Sequence, residues 1–135
     1  MTRIFTAADP VEDLQEAYWA KGRVLTGLDS VDACPMVIMH RATFPAGTVD
    51  EWIAAIIERP ELEDSLVWMG QHGLDILAPD LRSQVIAALA REATAACRVC
   101  LYAEDLTQSE RATLVAVVEA ELPHVAAKAR EGLDA

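Results

Sequence analysis

His72 is the residue whose neighbours in the sequence best suit acid–base chemistry. It lies four residues after Trp68 and three before Asp75, in the stretch VWMGQHGLDIL. At helical spacing both neighbours can contact the imidazole. A histidine that a carboxylate orients beside an aromatic ring can accept or donate a proton near neutral pH. We therefore expect His72 to be catalytic with Asp75 as its partner; the alternative is a histidine at the edge of the core.

A helical wheel sorts the side chains of residues 61–77 into three groups. Asp64, Gln71 and Asp75 are predicted to face solvent, so Gln71 should point away from His72. A flanking stripe holds Glu61, Ser65, Trp68 and His72, and we expect Ser65, Trp68 and Met69 to contact a substrate. The face predicted to be buried consists of Leu62, Leu66, Met69, Gly70, Gly73, Ile76 and Leu77, where the glycines would let another helix approach.

A second candidate site follows the apolar run Met36–Met39. His40 would join the catalytic residues, while Met39 and Arg41 would bind the substrate, because arginine can hold a carboxylate in a bidentate manner. The alternative for Arg41 is a surface ion pair. Residues 31–44 are compatible with a buried helix or a buried strand, and we favour a helix.

Two spacings resemble metal or redox motifs, but their context argues against those uses. Cys97 and Cys100 lie near the end of a predicted helix, where the helix dipole does not stabilise a thiolate, and a structural zinc ion needs four ligands. The Glu121-x-x-His124 spacing occurs once, whereas di-iron bundles need two such motifs and two further glutamates. We expect neither a metal nor a cofactor.

The three tryptophans, Trp19, Trp52 and Trp68, lie on different predicted helices. If they converge, they would form a pocket with Met36, Met39 and Met69 for a hydrophobic small molecule. The alternative is three separate anchors of the core or of an interface.

Composition predicts the elements that must position these residues. The 135 residues suffice for one domain, 1–135, and the 24 alanines favour helices. We expect an all-α, single-domain bundle or orthogonal array of about six helices. Three of them are predicted to begin at capping boxes, at Asp9–Glu12, Thr48–Glu51 and Thr107–Glu110. One long helix is predicted from Pro79 to about Tyr102, and Pro123 should kink or divide the last helix.

The charge balance excludes several partners. With 22 acidic and 11 basic residues, the net charge is −11, which disfavours nucleic acids and anionic membranes. Three cysteines without a signal peptide predict a reducing cytoplasm. Nine arginines, two lysines and no asparagine are typical of a GC-rich bacterial genome. The high apolar content of an acidic chain is consistent with a homodimer.

Two functions from different classes remain open at this point. The first is a small-molecule-binding protein, or a cofactor-independent isomerase, cyclase or dehydratase, that uses histidine chemistry in an apolar pocket. The second is a non-catalytic dimeric module that presents an apolar helix face to a protein partner.

Overall fold

The computed structural model describes residues 3–26 and 47–134. Of these described residues 77% are helical, in seven α-helices and with no strand, which confirms the all-α prediction. The helices are α1 (Val11–Thr26), α2 (Val49–Glu58), α3 (Glu63–Trp68), α4 (Pro79–Leu89), α5 (Ala93–Tyr102), α6 (Gln108–Glu121) and α7 (Ala126–Asp134). The predicted helix at 31–43 lies outside the described residues.

Two of the three predicted capping boxes are confirmed; at the third, the Asp9 carboxylate accepts from the Thr6 N–H instead, and α1 begins at Val11. At the start of α2, the Thr48 side chain accepts a hydrogen bond from the Glu51 backbone N–H, and the Glu51 carboxylate accepts one from the Thr48 N–H. Thr107 and Glu110 form the same pair at the start of α6. Each box satisfies two backbone donors that the first turn leaves free, so it fixes where the helix begins.

The single long helix predicted from Pro79 to Tyr102 is wrong. The chain forms two helices, α4 and α5, separated at Ala90–Glu92. The N–H groups of Arg91 and Glu92 bond back only three residues, to Ala88 and Leu89, which tightens and ends α4. The Glu92 side chain then accepts from the Thr94 N–H and caps α5. Local capping therefore outweighs the high helix propensity of the alanine-rich sequence.

Pro123 divides the last helix, which was one of its two predicted effects. Helix α6 ends at Glu121, and α7 begins at Ala126 after a short turn. Proline has no N–H to donate, so it cannot continue the hydrogen-bond ladder of α6.

Residues 60–77 form four short segments rather than one regular helix. A 3₁₀ turn (Pro60–Leu62) leads into α3, which passes into a π-helical turn (Met69–Gly73) and a second 3₁₀ turn (Leu74–Ile76). The N-terminal segment pairs with the end of this stretch through two backbone hydrogen bonds. The Phe5 N–H donates to the Ile76 carbonyl, and the Phe5 carbonyl accepts from the Ala78 N–H.

The core is one cluster of mainly aliphatic side chains, with Phe5, Tyr18 and Trp52 among them, to which every described α-helix from α1 to α7 contributes. The apolar face predicted for residues 61–77 is confirmed, since Leu62, Leu66, Met69, Ile76 and Leu77 are all buried. No helix of the described ranges is both long and apolar enough to cross a membrane.

Candidate functional site

The π-helical turn Met69–Gly73 carries His72 and owes its position to two glycines. A Cβ atom on Gly70 would lie 2.7 Å from Leu89 Cδ1 and 2.8 Å from Val99 Cγ2. A Cβ atom on Gly73 would lie 2.8 Å from the ring of Tyr18. Only glycine lets the turn approach α1, α4 and α5 this closely, which confirms the predicted packing role. Single π turns inside helices are frequent at functional sites.

Trp68 and His72 contact each other, as their spacing predicts. Their ring centroids are 5.6 Å apart, and Trp68 in turn packs edge-on against Tyr18 at 5.2 Å. Tyr18 is fully buried and donates a hydrogen bond to the Gly73 carbonyl oxygen. One side of the imidazole is therefore held by a chain of rings that begins in the core.

Among the described residues, the carboxylate nearest to His72 belongs to Glu104, in the segment between α5 and α6. Its Oε1 atom lies 3.4 Å from His72 Nδ1, at the distance of an ion pair. The geometry is not that of a hydrogen bond: Nδ1 is shielded from solvent and has no hydrogen-bond partner. A small movement of the Glu104 side chain would convert this contact into a direct bond, because half of that side chain is exposed.

His72 opens onto a surface groove of about 320 Å³, which we call the His72 groove. Its first wall is the π turn and the residues that follow it, and its second wall is the segment after α5. Most of its side chains are polar or charged. The lining residues are Gly70, Gln71, His72, Leu74, Asp75, Glu104 and Asp105.

Asp75 lines the same groove as His72, but its hydrogen bond goes elsewhere. Its Oδ1 atom accepts a hydrogen bond of 2.6 Å from Lys21 Nζ on α1. The predicted pairing of Asp75 with His72 is thus replaced by Asp75–Lys21 and His72–Glu104. The sequence pattern could not show this, because Lys21 and Glu104 are both remote from residue 72 along the chain.

The prediction that Gln71 points away from His72 is wrong. Gln71 lines the groove, its side chain donates to the Arg98 carbonyl oxygen, and its own carbonyl accepts from the Glu104 N–H at 3.0 Å. A wheel drawn at 100° per residue assumes α-helical geometry, whereas a π turn takes more residues per turn and changes the direction of each side chain.

Arg82 on α4 connects the two walls of the groove from below. Its Nη1 donates to the Leu74 carbonyl oxygen and to Asp105 Oδ2, both at 3.1 Å. Its Nη2 donates to the Asp105 carbonyl oxygen at 2.8 Å and to Glu110 Oε1 at 2.6 Å, while Nε donates to Glu110 Oε2 at 2.9 Å. All five N–H donors of the guanidinium are thereby used.

Arg82 and Glu110 form an ion pair that we call the Arg82–Glu110 clamp. The pKa values of both groups shift in the directions that favour their charged forms. The hydrogen bonds to Glu110 raise the pKa of Arg82, against burial, and Asp105 acts in the same direction. Burial acts to raise the pKa of Glu110, but hydrogen bonds from Arg82 and the Thr107 backbone outweigh it and lower that pKa. The clamp is therefore ionised across the physiological range.

Three of the other predicted site residues, Met69, Ser65 and Trp68, are not among the residues that line this groove. Met69 is fully buried in the core, and Ser65 is buried on α3. Trp68 is half-buried and acts on the groove through its contact with His72. His40, Arg41 and Met39 lie outside the described residues, as do Met36 and Cys34.

Of the three tryptophans, Trp52 and Trp68 both contact Tyr18, at centroid distances of 6.2 and 5.2 Å. Trp52 is fully buried, which makes it an anchor of the core. Trp19 is half-buried, and the Arg23 guanidinium lies 5.1 Å from its ring centroid.

Cys97 and Cys100 are buried free thiols on one face of α5. Burial raises the pKa of Cys100 to about 11, and although Arg111 opposes this shift, the thiol stays protonated at neutral pH. A thiol in that state is a poor nucleophile. Within residues 3–26 and 47–134, no cluster of His, Cys, Asp and Glu has the arrangement of a metal site.

Three residues of the site could not be selected from sequence motifs: Arg82, Glu104 and Asp105. The one local signal concerns Glu104 and Asp105, which the Thr107–Glu110 capping box places in the loop immediately before a helix; Arg82 has no such signal. No protein-family model, curated protein or solved structure matches this chain.

Proposed function

We propose that this protein binds a small polar molecule in the His72 groove and that His72 exchanges a proton with it. The observation that carries the proposal is the shielded Nδ1 atom of His72, which lacks a hydrogen-bond partner and lies 3.4 Å from a carboxylate. A carboxylate at Nδ1 stabilises the imidazolium that forms when the other ring nitrogen takes a proton. In that arrangement Nε2 is the atom that would meet the ligand.

The walls of the groove support a polar ligand rather than the hydrophobic one expected from the sequence. Amide and carboxylate groups for a bound molecule come from Gln71, Asp75, Glu104 and Asp105. Leu74 is the one residue with an aliphatic side chain among the seven that line the groove. A volume of about 320 Å³ suits a molecule of metabolite size.

A single histidine that takes a proton from one atom of a substrate and returns it to another would suffice for an isomerase, a cyclase or a dehydratase. None of these reactions requires a cofactor when the substrate supplies its own leaving group or acceptor atom. A cytoplasmic location is part of the same proposal and is supported by the two free thiols of α5.

The test combines ligand-observed NMR with two variants. Wild-type protein is screened against a panel of small amines, amides and hydroxy acids, and each hit is mapped by backbone amide shifts. We expect at least one compound to shift the amides of Gln71, His72 and Glu104, and we expect His72→Asn to weaken its binding at an unchanged melting temperature. His124→Asn is the matched control, because that histidine is exposed and lies outside the groove.

The proposal fails if no compound in the panel shifts the groove amides, or if a compound that does so binds His72→Asn and wild type equally. A melting temperature that falls strongly in His72→Asn would also count against it, since the histidine would then serve the packing of Trp68.

The second candidate, a dimeric interaction module, is favoured by a different surface. Leu101 and Tyr102 are 37% and 66% exposed at the end of α5. Leu101 also lines a largely apolar groove of about 460 Å³ between α5 and α7, with Val125 and Ala127. Sedimentation velocity of wild type and Tyr102→Asp tests this candidate: a dimer that the variant converts to monomer supports it, and a wild-type monomer at high concentration contradicts it.

A further inference from the structure

Arg82 lies beneath the His72 groove and donates hydrogen bonds to two of its lining residues, Leu74 and Asp105. Its side chain is only 17% exposed, although it carries a permanent charge. Burying such a charge is unfavourable unless it is fully hydrogen-bonded. The five bonds of its guanidinium meet that requirement, and they join α4 to the turn at Leu74 and to the stretch that holds Asp105 and Glu110.

The acceptors lie on both walls of the groove. The Leu74 carbonyl belongs to the first wall, immediately after the π turn that carries His72. Asp105 belongs to the second wall and follows Glu104 directly; it is held by both its side chain and its backbone carbonyl. The bidentate bond to Glu110 fixes the guanidinium plane itself.

Two of the three carboxylates that line the groove are already paired with a lysine or an arginine. Asp75 is neutralised by Lys21 and Asp105 by Arg82. Glu104 has no basic neighbour other than His72 in the part of the chain that the structure describes. The backbone N–H of Glu104 is meanwhile bonded to the Gln71 carbonyl across the groove.

We propose that Arg82 is a positioning residue for the His72 groove, holding the segment that bears Glu104 against the turn that bears His72. The functional consequence of this inference rests on the proposed function, because the position of Glu104 affects activity only if His72 exchanges a proton. The geometric part stands separately and can be measured without any ligand.

Arg82→Lys is the decisive variant. Lysine keeps the positive charge but has three donors from one nitrogen, so it cannot reproduce a planar fork that serves three segments. We expect the Glu104 amide, which reports the bond across the groove, to exchange its hydrogen about tenfold faster or more in Arg82→Lys. Amides of α2 and α7, to which the Arg82 side chain donates no hydrogen bond, should keep their wild-type exchange rates.

Arg130→Lys is the matched control, because Arg130 forms an exposed ion pair with Glu119 far from the groove. In Arg130→Lys, the Glu104 amide should exchange its hydrogen at the wild-type rate. Should Arg82→Lys not fold, Asp105→Asn removes the ionic bond and keeps the backbone one, and it should accelerate the Glu104 amide in the same direction.

Two results would overturn the inference: an unchanged Glu104 amide in both groove variants, or an equal acceleration of all protected amides, which would make Arg82 a general stabilising residue. A probe compound that binds the wild-type groove should bind Arg82→Lys at least about fivefold more weakly. If the Glu104 amide responds but no compound ever binds, the positioning role holds and the proposed function fails.

Discussion

The hydroxyl group of Tyr18 donates a buried hydrogen bond of 2.9 Å to the carbonyl oxygen of Gly73, 55 residues further along the chain. The bond joins α1 to the end of the π turn, one residue after His72. Because the Tyr18 ring also contacts Trp68, α1 fixes the turn by one polar and one aromatic contact.

Tyr18→Phe should therefore destabilise the protein. It leaves the Gly73 carbonyl without its buried partner, and we expect a loss of about 1–3 kcal/mol in the free energy of unfolding. Tyr102→Phe is the control, since Tyr102 is 66% exposed and its change should have no measurable effect. Thermal and urea denaturation measure both variants, and equal stabilities would show that the Tyr18 hydroxyl contributes nothing.

Gly70→Ala should also destabilise, although alanine normally favours a helix by about 1 kcal/mol over glycine. The new methyl group would meet Leu89 and Val99 below normal contact distance, and we expect a net loss of about 1–3 kcal/mol. The double variant Gly70→Ala/Val99→Ala provides space for that methyl group. In urea denaturation, the double variant should lose less free energy of unfolding than the two single variants lose in sum. Strict additivity would contradict the proposed steric cause.

The Arg82–Glu110 clamp should make stability depend on pH in the acidic range. The folded pKa of Glu110 is lowered below its ordinary value of 4.5, so its contribution to stability is fully present above that value. It is lost as the pH falls through the folded pKa. The melting temperature of Glu110→Gln should lie well below that of wild type at pH 7, and the difference should shrink near pH 3.

Glu119→Gln is the control for that experiment. Its exposed ion pair with Arg130 should contribute about 0–1 kcal/mol, so the variant should follow the wild-type profile closely. A difference between Glu110→Gln and wild type that stays constant from pH 7 to pH 3 would show that the charge of Glu110 is not what stabilises the clamp.

Cys100 should not react with a thiol reagent while the protein is folded. Its thiol is buried, and with a pKa of about 11 it is almost fully protonated at pH 8. In a Cys34→Ser/Cys97→Ser background, we expect Ellman's reagent to modify Cys100 only after denaturant is added. Rapid reaction of the native double variant would mean that α5 opens readily at that position.

Local signals in the sequence predicted most of the fold correctly. The capping boxes at Thr48 and Thr107, the proline at 123 and the apolar face of residues 61–77 depend on neighbours within a few positions, and the structure confirms each of them. The sequence does not predict the break between α4 and α5. Glu92 caps α5 through a side-chain hydrogen bond, and a glutamate within a helical pattern does not indicate a cap.

The site was predicted less completely, for two physical reasons. The contact of Trp68 with His72 follows from a spacing of four and was found. The pairs His72–Glu104, Lys21–Asp75 and Arg82–Asp105 join residues that only the tertiary fold brings together. In addition, a wheel with α-helical periodicity could not foresee the π turn that brings Gln71 to the groove.

That π turn has a consequence for ancestry. Such a turn differs from an α-helical one by a single extra residue, and it arises when one residue is inserted into a helix whose flanks stay in register with the core. A descendant that lost one residue between positions 69 and 73 could return to a plain helix with its buried face intact. Its histidine would be turned by about 100° from the groove. A one-residue gap at this place would therefore separate relatives that keep the site from relatives that keep only the fold.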